Sequence, residues 1–134
     1  MTLRFLLLAV LLACAPLLIA KPKPKIVVGH RTTEYESGKL HEKYDVHVEG
    51  ESETLWGDYT EYWETGKKKA EGQYEDGKRV ERWEWYYESG EHQESGFYDA
   101  GVKWNGWTTW HPNGKKASDG KYANGKQQDK WIYW

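Results

Sequence analysis

Leucine, isoleucine and valine are scarce in this sequence outside its first 20 residues. Only ten of them occur between residues 21 and 134. That is too few for the interior of an ordinary globular domain, because aliphatic side chains usually make up most of a buried core. The same region contains all nine tryptophans and all ten tyrosines of the chain. These rings therefore have to provide most of the burial that folding requires.

Cysteine and clustered positive charge are also nearly absent. Cys14 is the only cysteine, so no disulfide within the chain can stabilise the fold. Acidic and basic residues alternate, and the formal net charge is −2. Nucleic-acid binding draws most of its affinity from basic side chains that neutralise phosphates. The composition therefore argues against a nucleic-acid partner.

One long apolar run is present, over residues 4–20. Its uninterrupted part is roughly 16 residues long, shorter than the ~20 that a membrane-spanning helix needs. We interpret residues 1–20 as a signal peptide and residues 21–25, KPKPK, as an extended spacer. The protein is therefore expected to be exported to the periplasm or the extracellular space.

The signal segment allows two kinds of processing. The sequence LLAC, ending at Cys14, resembles a bacterial lipoprotein signal, in which the cysteine is lipidated and anchors the protein to a membrane. Leu12 is bulkier than that signal prefers, and ordinary cleavage after Ala20 is the other interpretation. Both remain open, and membrane contact is expected only through such a lipid anchor.

From residue 59 onward the sequence repeats with a period of 24 residues. The period is visible in the ring positions Tyr59, Trp83, Trp107 and Trp131 and in recurring glycines. A fixed period of this length is typical of repeat architectures. A degenerate earlier unit occurs at Glu34–Lys39, and about four extra residues between it and the next unit predict a bulge or loop.

Each unit contains two turn signals, such as Asp76-Gly77 and Ser89-Gly90. Glycine supplies the positive φ that hairpin turns require. The spacing predicts strands of nine to eleven residues, and no segment shows helical spacing of apolar residues. We therefore predict an all-β fold. It is an elongated single-layer antiparallel β-meander of 24-residue hairpin repeats over residues 26–134, preceded by the N-terminal signal segment.

Two-residue loops at Ser89-Gly90 and its equivalents would set a large ring opposite a glycine in every unit. The predicted pairs are Tyr59–Gly72, Trp83–Gly96 and Trp107–Gly120. A ring over a glycine restores a missing cross-strand contact. Three-residue bulged loops are also compatible and would shift each pairing by one residue. Alternation predicts two faces: Trp83, Tyr87, Gly96 and Tyr98 on one, and Tyr86, Phe97, Trp104 and Trp110 on the other.

The segments EYWETGKKKAEGQYEDGK and TWHPNGKKASDGKYANGK resemble the MORN-type repeat, in the bacterial variant often described as an antitoxin family. The resemblance extends from about residue 56 to residue 134. Glu81-Arg82 and Asp129-Lys130 depart from it, because a glycine usually precedes the tryptophan. The resemblance implies an elongated antiparallel sheet used for interaction.

Catalytic and metal-binding patterns are weak. His41, Asp45, His47 and Glu49 would share one face of a strand, but their spacing matches no known metal site. An exposed polar face in the irregular connection is the simpler interpretation. No nucleophile has a recurring partner set. We predict a protein that is not an enzyme and that uses neither a metal nor a cofactor.

Four tryptophans are candidate binding residues. Trp85 and Trp104 lie outside the 24-residue ring positions, Trp110 belongs to a local tryptophan cluster, and Trp134 lies in an exposed terminal strand. The leading hypothesis is a non-catalytic exported scaffold that mediates protein–protein interaction at the cell envelope. The alternative is a glycan- or cell-wall-binding module that uses exposed tryptophan faces.

Overall fold

The computed structural model describes residues 26–134, and these residues form one antiparallel sheet whose strands pair in chain order. The strands are β1 (Val27–Glu34), β2 (Leu40–Glu49), β3 (Ser52–Tyr62), β4 (Lys68–Glu75), β5 (Lys78–Tyr86), β6 (His92–Asp99), β7 (Val102–Trp110), β8 (Lys116–Ala123) and β9 (Lys126–Tyr133). This is the predicted all-β meander. The predicted signal peptide with Cys14 and the predicted spacer lie outside the described residues. Within residues 26–134 no helix is long and apolar enough to cross a membrane.

Turns at one end of the sheet have two residues, as predicted. Both residues of Asp76–Gly77, Ala100–Gly101 and Asn124–Gly125 have positive φ, for example 48° and 73° in the first. This is the conformation that matches the twist of a hairpin. The glycine N–H also donates to the preceding unit, as from Gly101 to the Arg79 carbonyl at 2.8 Å. Each such turn therefore ties its hairpin to the one before.

Turns at the opposite end have three residues, so of the two loop lengths that the sequence left open, the three-residue bulged loop is the one that forms. Tyr87 N donates to the Glu91 carbonyl at 2.9 Å, so residues 88–90 form the loop. The pairing then shifts by one residue between Trp85 and Tyr86. Because this bulge cancels the longer loop, Trp83 still pairs with Gly96 as predicted.

All three predicted ring–glycine pairs exist in the backbone register, but the rings cover other glycines. The Trp83 ring lies on Gly72 of the preceding strand, Trp107 on Gly96, and Trp131 on Gly120. The cause is a bulge in which three residues, 81–83, oppose Gly72. Glu81 has a φ of 57° there. Bulges bend the strand, and this one turns the ring toward β4 rather than β6.

The aromatic core lies on one face of the sheet, called here the core face. Trp83 is 0% exposed, Trp107 2% and Tyr98 8%. Rings meet edge to face, with 5.1 Å between the centroids of Tyr74 and Trp83. Arg79 lies 4.5 Å above the Trp83 ring. Edge-to-face pairs add ~0.5–1.5 kcal/mol beyond area burial, so rings and cations replace the missing aliphatic layer.

The predicted two faces are confirmed, because Tyr86, Phe97, Trp104 and Trp110 make their ring contacts on the opposite face.

A second ladder joins successive units near the three-residue turns. Trp63 Nε1 donates to the Tyr86 carbonyl at 3.1 Å, and the Tyr87 hydroxyl donates to the Trp110 carbonyl at 2.8 Å. His111 has the equivalent position, with Nε2 3.3 Å from the Trp134 oxygen. His111 is therefore a substituted packing position, as its place in the repeat predicts.

The four extra residues of the first unit are predicted to lie in a bulge or loop, but they lengthen a hairpin. Strands β2 and β3 are two residues longer than the corresponding strands β6 and β7. Regular pairing continues along them, interrupted by a register shift between Tyr44 and Val46. A longer hairpin keeps its backbone groups hydrogen-bonded, whereas an irregular loop of that length would not.

The ring on Gly96 gives a stability prediction. A Cβ at Gly96 would overlap the Trp107 ring, whereas one at Gly106 would meet nothing within 4 Å. Gly96→Ala is expected to lower the free energy of unfolding by ~1–3 kcal/mol, the usual cost of overpacking. Gly106→Ala, the matched control, should leave stability unchanged or raise it by ~0.5 kcal/mol. Urea unfolding followed by circular dichroism measures both, and equal effects would contradict the ring placement.

The hydroxyl ladder gives a second prediction. Tyr87→Phe removes the bond to the Trp110 carbonyl and is expected to cost ~0.5–1.5 kcal/mol of unfolding free energy. Tyr133→Phe is the control, because the Tyr133 side chain is 67% exposed and its loss of a hydroxyl should change little. The measurement is the midpoint temperature of thermal unfolding of the two variants. A midpoint for Tyr87→Phe equal to that of the control would argue against the ladder.

Candidate functional site

The face opposite the core face contains a groove, and it is called here the groove face. Trp56 on β3, Val80 on β5 and Trp104 on β7 line this groove, and they are 24 residues apart in the sequence. A cavity of about 420 Å³ contains these three side chains. It adjoins a second cavity of about 730 Å³, and both are lined by Gln73 and Glu81. The two cavities together are called the Trp56–Trp104 groove.

Two tryptophans form the apolar ends of the smaller cavity. His47 stacks on Trp56 with 4.0 Å between ring centroids, and it comes from β2, the side away from the groove. Phe97 contacts Trp104 edge-on at 6.4 Å. Trp104 nevertheless remains 45% exposed. Four strand spacings separate β3 from β7, about 19 Å at ~4.8 Å each. The groove is therefore wide and open, and other aromatic side chains pack against its two tryptophans.

The polar lining of the groove is strongly acidic. It contains one arginine, Arg82, and six carboxylates: Asp58, Glu71, Glu75, Glu81, Glu84 and Asp99. Because the whole chain has a net charge of only −2, negative charge is concentrated on this surface.

Three of these carboxylates have partners at the wider end of the groove. The Tyr86 hydroxyl donates to Glu71 at 2.6 Å and to Glu84 at 3.0 Å. Lys68 pairs with Glu71 at 2.6 Å, Arg82 pairs with Glu84 at 2.8 Å, and Gln73 donates to Asp58 at 3.0 Å. Burial and the two carboxylate acceptors raise the pKa of Tyr86 well above its ordinary value. Each of the three carboxylates at this end of the groove therefore already has a hydrogen-bond or ion-pair partner within the sheet.

The other three carboxylates are unpaired. Glu75, Glu81 and Asp99 are exposed, and within residues 26–134 none of them forms an ion pair. They lie on the successive strands β4, β5 and β6. An exposed carboxylate retains most of its hydration, so it can exchange water for a cation of a ligand at low cost.

Three of the four predicted binding residues lie on the groove face. Trp104 lines the groove itself. Trp110 and Trp134 lie at the far end of the same face, near the three-residue turns. The Trp110 ring is 5.3 Å from His92, and Trp134 is 60% exposed with Lys116 5.8 Å from its ring. These two rings are therefore separate from the groove.

The expectation that the Trp85 ring lies outside the repeated packing is wrong. Trp85 is half-buried on the core face, 5.8 Å from Trp83 and 5.9 Å from Trp107. The reason is the two-residue period of a strand, which places positions 83 and 85 on the same face. Cys14, the separate candidate lipidation site, lies outside the described residues.

The histidines and acids of β2 are dispersed among different partners. Asp45 Oδ1 is 2.5 Å from His30 Nδ1, His41 lies 3.5 Å from Glu61, and His47 stacks on Trp56. In the described part of the chain no three His, Cys, Asp or Glu side chains are grouped to hold a metal ion. Thr33 pairs with Glu42 and Glu34 with Leu40, so His41 is an extra residue in β2. This bulge interrupts the alternation between His41 and the other three residues.

The sequence interpretation missed Trp56 and the unpaired carboxylates. A signal for Trp56 was present, because it precedes Val80 by 24 positions and lies three residues before Tyr59. Alternation from Tyr59 would have placed it opposite the core rings. The carboxylates have no comparable signal, since they differ little from other exposed acids until the strands bring them together.

Comparison with known proteins agrees with the hairpin architecture. The model of the MORN repeat variant matches residues 57–76 and residues 82–100, which correspond to the β3–β4 and β5–β6 hairpins. No curated protein and no solved structure shows significant similarity to the chain. The two matched hairpins are repeats of this variant, so the chain contains MORN-type repeats.

Proposed function

We propose that this repeat sheet is a non-catalytic scaffold that binds a protein partner through its groove face. The main observation is the contrast between the faces. Core-face tryptophans are buried by their own sheet, whereas Trp104 is 45% exposed beside a groove between two aromatic rings. Exposed aromatic side chains beside a concave surface are enriched at protein interfaces.

The proposal places this scaffold at the cell envelope, in the periplasm or outside the cell. Its support is the apolar run at residues 4–20, interpreted as an export signal. A rigid sheet suits such a role, since little conformational entropy is lost when an already ordered surface binds.

Partner capture with matched variants tests the scaffold. The wild-type chain, Trp104→Ala and Tyr133→Ala are used as baits against an envelope fraction, with a scrambled-sequence bait as background. Trp104→Ala should reduce the captured partner roughly tenfold, a typical loss for an aromatic interface residue. Tyr133→Ala should not, because Tyr133 is exposed elsewhere, at 67%. No enrichment over background, or equal loss in both variants, would count against the proposal.

The alternative function is binding of a glycan or cell-wall polymer. The observation in its favour is the exposure of Trp104 and Trp134, at 45% and 60%, because open indole faces can stack on sugar rings. Tryptophan fluorescence is titrated with cell-wall fragments, using wild type and Trp104→Phe. The scaffold predicts no emission shift. A saturable shift that disappears in Trp104→Phe would favour the glycan module instead.

A further inference from the structure

We infer that the Trp56–Trp104 groove binds an extended, lysine- or arginine-rich segment of a partner protein. The inference rests on the proposed scaffold function and names the chemistry of its partner. It follows from the charge, the aromatic surfaces and the dimensions of the groove.

Charge selects a cationic occupant. Among the residues that line the smaller cavity, Glu75, Glu81 and Asp99 are acidic and none is basic. No ion pair within residues 26–134 neutralises these three carboxylates. Complementary potentials increase the association rate and disfavour partners of the wrong charge. The carboxylates would repel an acidic segment, and a neutral segment would leave them without an oppositely charged partner.

The aromatic rings select the same kind of side chain. On the core face, cations already cover the tryptophans, with Arg79 4.5 Å above Trp83 and Lys103 3.8 Å above Trp107. In the described part of the chain no cation lies over Trp56 or Trp104. A lysine or arginine of the partner could lie over Trp56 or Trp104 as these cations lie over the core-face tryptophans, because indole is the best aromatic partner for a cation.

Dimensions favour an extended peptide. The unpaired carboxylates occur one per strand on β4, β5 and β6, and neighbouring strands lie about 4.8 Å apart. The strands that carry Trp56 and Trp104 are four strand spacings apart, about 19 Å, which an extended chain covers with about six residues at ~3.3 Å each. A basic segment crossing the strands can therefore contact both rings and all three acids at once.

Calorimetric titration of the full chain with hexalysine tests the inference. The groove variant is the triple substitution Glu75→Gln, Glu81→Gln and Asp99→Asn. The control is Glu36→Gln, Glu64→Gln and Glu88→Gln, three exposed acids at the three-residue turns, so that both variants lose the same net charge. Circular dichroism confirms that each variant is folded.

The groove variant should weaken hexalysine binding roughly tenfold, and the control less than about twofold. Raising the salt from about 50 to about 300 mM should weaken binding to wild type, because surface charges are screened. Hexaglutamate should not bind. Equal loss in both triple variants, no hexalysine binding, or tighter binding of a chitosan hexamer than of hexalysine would overturn the inference.

Partner capture distinguishes a failure of this inference from a failure of the proposed scaffold function. If the captured protein depends on Trp104 but not on the three groove acids, the scaffold stands and the basic-segment inference is wrong. If capture depends on neither, both are wrong. Dependence on both Trp104 and the three acids, but not on the control acids, supports the two together.

Discussion

The fold depends on one contact, an indole ring lying directly on the α-carbon of a glycine in the neighbouring strand. Trp83 on Gly72, Trp107 on Gly96 and Trp131 on Gly120 repeat it along the sheet. A single-layer sheet has no second layer to cover its core, so its rings must lie flat on their own backbone. Any side chain at these glycines would occupy the place of the ring. The result is complete burial of Trp83, at 0% exposure, without a sandwich.

The bulges that direct these rings also shape the groove. Opposite Gly72, residues 81–83 occupy the space of one residue, which turns the Trp83 ring toward Gly72 on β4. On the groove face, the same segment leaves a cavity lined by Gly72, Glu81 and Arg82. Stability and the candidate site thus share one backbone irregularity. Bulges often serve this purpose, since they re-aim side chains where a regular ladder could not.

Contacts between units are as regular as those within them. Turn glycines donate to the preceding hairpin at one end, and ring side chains bond to the carbonyls of the following hairpin at the other. Each unit therefore contacts only its neighbours, and stability is expected to accumulate unit by unit. The groove face is thus one side of a sheet whose other side carries the packed aromatic core.

The sequence by itself determined the hairpin repeat and the all-β meander, because period and turn glycines are local signals. The pairing of Trp83 with Gly96, derived from a two-residue loop, holds because a bulge offsets the three-residue loop that forms. The sequence also placed Trp104 on the face away from the core, through simple alternation. Only the tertiary structure decided which neighbouring glycine each ring covers. It also gathered Trp56 and the acids of three strands into one groove. The physical reason is that alternation tells which face a side chain occupies, whereas bulges and ring orientation decide which neighbour it meets.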